Sequence, residues 1–183
     1  MDLTSLKAAS VEAMLQFSPS EVIGCHPLFG PRIRSLGGRR IVLCPARTKR
    51  WLPWLRAVLQ TAGVRIVETT PEEHDRSMAL VQGLNHLNSL LMGRVLSEMG
   101  AGPAALQPFG TPAFEEKMKL VRKIMRPHAR LSAEIILLNP DIPKILDRYE
   151  KSLKELKMLI REKDLEGLIA LMDRQAVLLW PAG

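Results

Sequence analysis

The chain has 183 residues, 46% of them hydrophobic, with 26 Lys/Arg against 19 Asp/Glu and a formal charge of +7. That is enough apolar material for a core, in one domain or two small ones. Asp2 and Lys7 interrupt any leading apolar run, and Cys25 and Cys44 have no metal-ligand companion at short spacing, so neither a secretory signal nor a zinc site is expected. The two cysteines read as reduced, buried thiols of a cytoplasmic protein.

The charge is uneven: residues 1–70 hold ten Lys/Arg against four Asp/Glu, and residues 71–183 hold sixteen against fifteen. No acidic residue falls between Glu21 and Glu68. A nucleic-acid patch is one reading of this, but aromatics are scarce and no recognition motif accompanies the charge, so no nucleic-acid partner is expected. Anionic ligands or a plain solvated surface are the other readings.

In chain order, Asp2-Leu3-Thr4-Ser5-Leu6-Lys7 leads into a helix-like stretch with Val11, Met14 and Leu15, and Ser18-Pro19-Ser20 comes next. Val22–Cys25, Arg40–Cys44 and Val64–Glu68 are apolar or β-branched runs bounded by turn residues and read as strands. A helix carrying Trp51, Leu55, Val58 and Leu59 on one stripe lies between the last two. The first strand delivers His26 into Pro27-Leu28-Phe29-Gly30-Pro31, and Pro27 pushes the residue before it into extended backbone. In open α/β sheets the carboxyl end of a strand faces the ligand crevice, which places His26 for chemistry; a turn histidine bonded to a carbonyl is the alternative.

Thr70 as N-cap, Pro71 at the first helical position and Glu73 three residues after the cap predict the start of a long helix. From Ser77 to Leu96 its only charge is Arg94. Polar residues near its middle argue against a membrane span, although the length suits one. At helical spacing Asp75, Gln82, His86, Ser89 and Gly93 share a stripe, which serves either helix-to-helix hydrogen bonding or a ligand pocket. Thr111-Pro112 predicts a helix through Met125, and a further one covers about 129–138. The stripes Tyr149/Leu153/Leu156/Ile160 and Leu165/Ile169/Met172/Ala176, separated by Lys163-Asp164, predict an antiparallel helical hairpin.

The ordered set of Asp2-to-Lys7, His26-Pro27-Leu28-Phe29-Gly30-Pro31, Ile41-to-Pro45, Thr70-to-Arg76, Gln82-Gly83-Leu84-Asn85-His86 and Thr111-Pro112-Ala113-Phe114 closely resembles the prephenate dehydrogenase family of tyrosine biosynthesis. The resemblance covers about residues 2–170. It implies an α+β chain that is mainly α, with a remnant of a Rossmann-type α/β sheet over 1–70 and a helical substrate-binding and dimerisation domain over 71–183. The glycine-rich turn that opens the family's dinucleotide-binding half is expected to be missing before Met1.

The resemblance further implies oxidative decarboxylation of prephenate or arogenate with NAD or NADP, a homodimer and no membrane partner. His26 matches the catalytic histidine and Ser5 the serine beside it, and Ser5, His26 and Pro27 belong to the nicotinamide side. His86 and Gln82 match the substrate pocket. Where many members carry a carboxylate-binding arginine after the aromatic aligned with Phe114, this chain has Glu115, and Arg122 and Lys123 are the replacement candidates. His74, in the first turn of its helix, is read as structural, and His128 has no assigned role. The chain is expected to be weak or inactive alone; a non-catalytic dimerisation or ligand-binding module is the alternative.

Overall fold

The computed structural model describes residues 1–30 and 32–181, so Pro31 of the predicted turn lies outside the described residues. Three strands, β1 (Val22–Pro27), β2 (Arg40–Arg47) and β3 (Arg65–Glu68), form a sheet in the order β1-β2-β3. β1 runs antiparallel to β2, with Cys25 opposite Leu43 and His26 opposite Val42, and β3 runs parallel to β2. Helix α1 (Ala8–Phe17) precedes β1, and α2 (Trp51–Thr61) makes the crossover from β2 to β3.

Pleating sorts the strand residues onto two faces. Ile23, Cys25, Ile41 and Leu43 form a core cluster with Leu55 of α2 and with Val64, and Leu52 and Leu59 pack against it. The stripe predicted for α2 is therefore offset. Leu52, Leu55 and Leu59 face the sheet, whereas Trp51 and Val58 are exposed and Trp51 stacks edge-on against Trp54. The first turn of α2 is closed by the Glu21 carboxylate, which accepts the backbone N–H groups of Lys49, Arg50 and Trp51; those bonds hold its pKa down at about 2.

The opposite face of β1, carrying Val22, Gly24 and His26, lies toward α1, and the same side of β2 meets α3 (Pro71–Met78). Thr70 caps α3 as expected, its hydroxyl accepting the Glu73 N–H at 3.2 Å, while the Glu73 carboxylate accepts from Thr69 Oγ1. The long helix is not uniform. α3 passes into a π-helical segment, Ala79–Leu84, before α4 (Asn85–Glu98). The wider turn shifts the phase of the helix beyond it, so the predicted single stripe is split: Asp75 faces the start of α1, and Gln82 and His86 face elsewhere. Gly93 lets α4 approach α6 closely, since a Cβ there would lie 2.7 Å from Met125 Sδ.

α5 (Pro103–Leu106) and a short 3-10 turn (Gln107–Phe109) lead to α6 (Pro112–Met125), capped by Thr111, and α7 (Ala129–Leu138). The chain divides into two compact units, Met1–Ile142 and Pro143–Gly183. The second holds most of α8 (Ile142–Glu162) and α9 (Leu165–Leu179), joined at Lys163, whose φ is 55°, with Asp164 accepting from Gly167 N. The turn of the predicted hairpin falls at Lys163-Asp164 as expected. α8 and α9 make little mutual contact, and Leu153, Met158, Ile160, Leu165, Met172 and Leu178 are exposed. Much of both predicted stripes is exposed, while Tyr149, Leu156, Leu159, Leu168 and Leu171 are half-buried.

Candidate functional site

His26 is 4% exposed and is the penultimate residue of β1, on the face toward α3. That face brings its ring to His74, with His26 Nδ1 2.9 Å from His74 Nε2 and the rings edge-to-face at 5.0 Å. His74 Nδ1 lies 2.7 Å from Asp75 Oδ1. The Asp75 carboxylate is anchored in turn by the first backbone amides of α1: Lys7 N donates to Oδ1 at 2.7 Å and Ala8 N to Oδ2 at 2.9 Å. Burial alone would raise the Asp75 carboxyl, but the bonds from His74, Ala8 and Lys7 outweigh it and hold its pKa below the ordinary value. An anion at a helix N-terminus is favoured by the macrodipole.

This chain of bonds assigns the ring protons. A carboxylate only accepts, so His74 donates through Nδ1; in a neutral His74 ring Nε2 is then the acceptor, and His26 donates to it through Nδ1. The remaining nitrogen of His26, Nε2, is left as a lone pair. Burial, with the His74 and Lys7 charges adding to it, pushes the His26 pKa down to about 4. At neutral pH His26 is therefore uncharged, and a neutral His74 fixes its tautomer from behind.

A cleft of about 710 Å³ has His26 in its wall. Its walls include Ser5, His26 and Pro27 from the sheet side and Gln82, His86 and Lys123 from the helices. Six of the seven residues singled out from sequence thus line one cavity. Arg122 does not; it lies one residue further round α6 and lines a separate depression of about 730 Å³ together with Phe114 and Glu115. Of the two replacement cations, Lys123 is the one in the cleft.

Two buried polar atoms in the cleft wall, Gln82 Oε1 and His86 Nδ1, have no hydrogen-bond partner among the described residues. Burial lowers the His86 pKa, partly offset by its hydrogen bond with the Ser132 backbone. Gln82 and His86 line the cleft, and orphaned buried polar atoms suit ordered water or a polar group brought by a ligand. Ser89 Oγ is also orphaned and nothing in the structure explains it.

Sequence reasoning missed two things. His74-Asp75 is the support of the site, not a local feature of its helix; the adjacent pair was visible, but only the pleat of β1 shows that it faces His26. His128 also lines the cleft, delivered by the turn between α6 and α7.

A sheet-borne histidine backed by a second histidine and a carboxylate, beside a cleft lined by Lys123, is an arrangement that can accept a proton from a ligand in that cleft. Residues 70–174 match the model of the prephenate dehydrogenase dimerization domain, and residues 1–68 that of the prephenate dehydrogenase nucleotide-binding domain. The chain belongs to the prephenate dehydrogenase family. It is 30% identical over 181 residues to the "Probable arogenate/prephenate dehydrogenase" of Methanocaldococcus jannaschii, covering 96% of this chain and 41% of that protein. It is 28% identical over 174 residues to the T-protein of Enterobacter agglomerans, covering 95% and 47%. Among solved structures, Synechocystis arogenate dehydrogenase superposes with a TM-score of 0.73 at 24% identity, covering 94% of this chain and 65% of that one. The Aquifex aeolicus prephenate dehydrogenase complexed with hydroxyphenyl propionate and NAD+ gives 0.73 at 24%, covering 96% and 64%. The chain thus spans less than half the length of these two curated relatives and about two-thirds of the solved chains.

Proposed function

We propose that this chain supplies the base and the substrate cleft of a prephenate or arogenate dehydrogenase, with residues 1–70 as the end of the dinucleotide-binding domain and 71–183 as the substrate-binding and dimerisation domain. The carrying observation is the His26–His74–Asp75 chain of hydrogen bonds beside the cleft, which supports a His26 whose Nδ1 is engaged and whose Nε2 is the nitrogen free to take a proton. In this reading Nε2 takes the proton from the ring hydroxyl of the cyclohexadienol, and His74, fixed by Asp75, holds the ring and stabilises the charge that His26 acquires. Lys123 binds a carboxylate of the substrate, and Gln82 and His86 meet its polar groups. Ser5 and Pro27 border the nicotinamide end. NAD or NADP, when bound, supplies the oxidation by accepting hydride as the ring carboxylate leaves as CO₂.

The donor set fits only part of the dinucleotide. A pyrophosphate needs a helix N-terminus with free N–H groups, yet the start of α1 is taken by Asp75 and that of α2 by Glu21. This supports weak or absent turnover by the 183-residue chain alone, and it is the observation that favours the second reading, a ligand-binding and dimerisation module. A homodimer is supported by the exposed apolar residues of α8 and α9 and is tested by sedimentation at micromolar concentration, where a monomer counts against it. A cytoplasmic location is supported by two free, buried cysteines, with burial pushing Cys44 up to about 12. Among the described residues no helix is long and apolar enough to cross a membrane.

The test is calorimetric titration with prephenate, followed by absorbance of reduced nicotinamide with NAD+ or NADP+. Saturable binding, weakened about tenfold by Lys123→Met through loss of one charge-assisted contact, supports the cleft. No binding of prephenate or arogenate refutes it. Turnover at ordinary enzyme rates overturns the expectation of weak activity, and its loss in His26→Asn would then identify the base.

A further inference from the structure

Lys7 is a lysine with no exposed surface, and neither the cleft nor the proton relay uses its ammonium. Its stem crosses β1 at the one position where a side chain is missing: a Cβ on Gly24 would lie 3.2 Å from Lys7 Cδ and 2.7 Å from Val11 Cγ2. Beyond the glycine, Lys7 Nζ pairs with Asp2 Oδ2 and donates to Thr4 Oγ1 at 3.0 Å and to the Cys25 carbonyl at 2.8 Å. Asp2 Oδ1 accepts the Cys25 N–H at 3.1 Å. Burial would raise the Asp2 carboxyl, but the hydrogen bonds from Lys7 and Thr4 prevail and hold its pKa down.

The ion pair therefore grips both backbone groups of Cys25 on the edge of β1 turned away from β2, as a neighbouring strand would. Cys25 immediately precedes His26. The backbone N–H of the same Lys7 holds Asp75 Oδ1 at 2.7 Å, and that oxygen holds His74. One residue thus fixes the strand that carries His26 and the carboxylate that sets its tautomer. Ser5 lies in the loop that the pair closes.

We propose that Asp2 and Lys7 are positioning residues, a buried ion-pair clamp on Cys25 that holds His26 against His74 and Ser5 at the cleft. The clamp deepens the reading of His26 as the base. Burying the Lys7 ammonium beside a part-buried Asp2 costs desolvation that an apolar side chain would not, and a geometric role accounts for that cost. Removing one partner leaves the other charge buried and forces the loop or the strand edge to move.

The test uses Asp2→Asn and Lys7→Met in the full chain. Two quantities are read: hydrogen exchange at the Cys25 amide, with Leu43 of β2 as internal control, and the ¹⁵N signals of the His26 ring. Expected is exchange at Cys25 about tenfold faster, the equivalent of one lost buried hydrogen bond, with Leu43 unchanged and the His26 ring passing from one tautomer to a mixture. A folded Asp2→Asn protein with wild-type Cys25 exchange and wild-type His26 signals overturns the proposal. So does faster Cys25 exchange with unmoved His26 signals, since that reduces the pair to a structural contact. If Lys7→Met does not fold, Asp2→Asn, which conserves volume, decides. If wild-type His26 carries its proton on Nε2, the assignment of His26 as base falls, and the clamp is still judged by the change between proteins.

Discussion

Replacing Asp75 by asparagine changes one atom type and keeps the side-chain volume, yet it strikes the most heavily used acceptor in the site. Three donors converge on this carboxylate: Lys7 N and His74 Nδ1 on Oδ1, and Ala8 N on Oδ2. An amide has one acceptor oxygen, so whichever way it is turned its NH₂ faces at least one N–H at hydrogen-bonding distance. Leaving a buried donor unsatisfied costs about 1–3 kcal/mol, and the bonds that remain lose their charge assistance. The sum is a destabilisation of about 3 kcal/mol, or about 6–12 °C in melting temperature for a chain of this size. Urea unfolding followed by circular dichroism at pH 7, wild type against Asp75→Asn, measures it. A loss below about 0.5 kcal/mol, the range of neutral surface changes, would refute the claim that this carboxylate anchors α1 to the histidine relay.

The same contacts predict other outcomes. The folded His26 pKa of about 4 lies below its ordinary 6.5, so the unfolded chain binds the extra proton between those values; the contribution is full above pH 6.5 and is lost as pH falls toward 4. It amounts to about 3 kcal/mol, and urea midpoints that stay flat from pH 7 to 4.5 would contradict it. Gly24→Ala places a methyl 2.7 Å from Val11 Cγ2 and 3.2 Å from Lys7 Cδ; it should cost about 1–3 kcal/mol by overpacking, and a thermal melt equal to wild type would show that α1 yields freely. Arg122→Met, a change outside the cleft, should leave prephenate affinity within about twofold while Lys123→Met does not, and equal losses in calorimetry would show that the cleft is wrongly drawn.

Element ends marked by capping chemistry were legible. Thr70-Pro71 and Thr111-Pro112 start helices where the sequence places them, and Pro127 ends α6 at Met125. That His26, Ser5, Gln82 and His86 belong to one site was implied by the family resemblance, and the choice of Lys123 over Arg122 came only with the structure. The antiparallel pairing of β1 was not legible, since a strand's direction is a tertiary property. The partner of His26 was lost with it, because which ring faces His74 depends on which face of the sheet α3 covers. The offset stripe of α2 and the exposed stripes of α8 and α9 show a related limit. Periodicity tells which residues share a side of a helix, and burial depends on what is there to meet that side.

The π-helical turn Ala79–Leu84 makes residue count, as well as residue identity, a determinant of the site. Asp75 ahead of it must stay on α1 and His74, and Gln82 and His86 must reach the cleft. Each residue added to or removed from the interval rotates one set against the other by about 100°. Substitutions within 79–84 are bounded by packing, as at Gly83 against Ile142, but a single-codon deletion has no side chain that can compensate for it. Lineages that share this site should therefore agree in the length of the interval and vary chiefly at its positions other than Gln82 and Gly83.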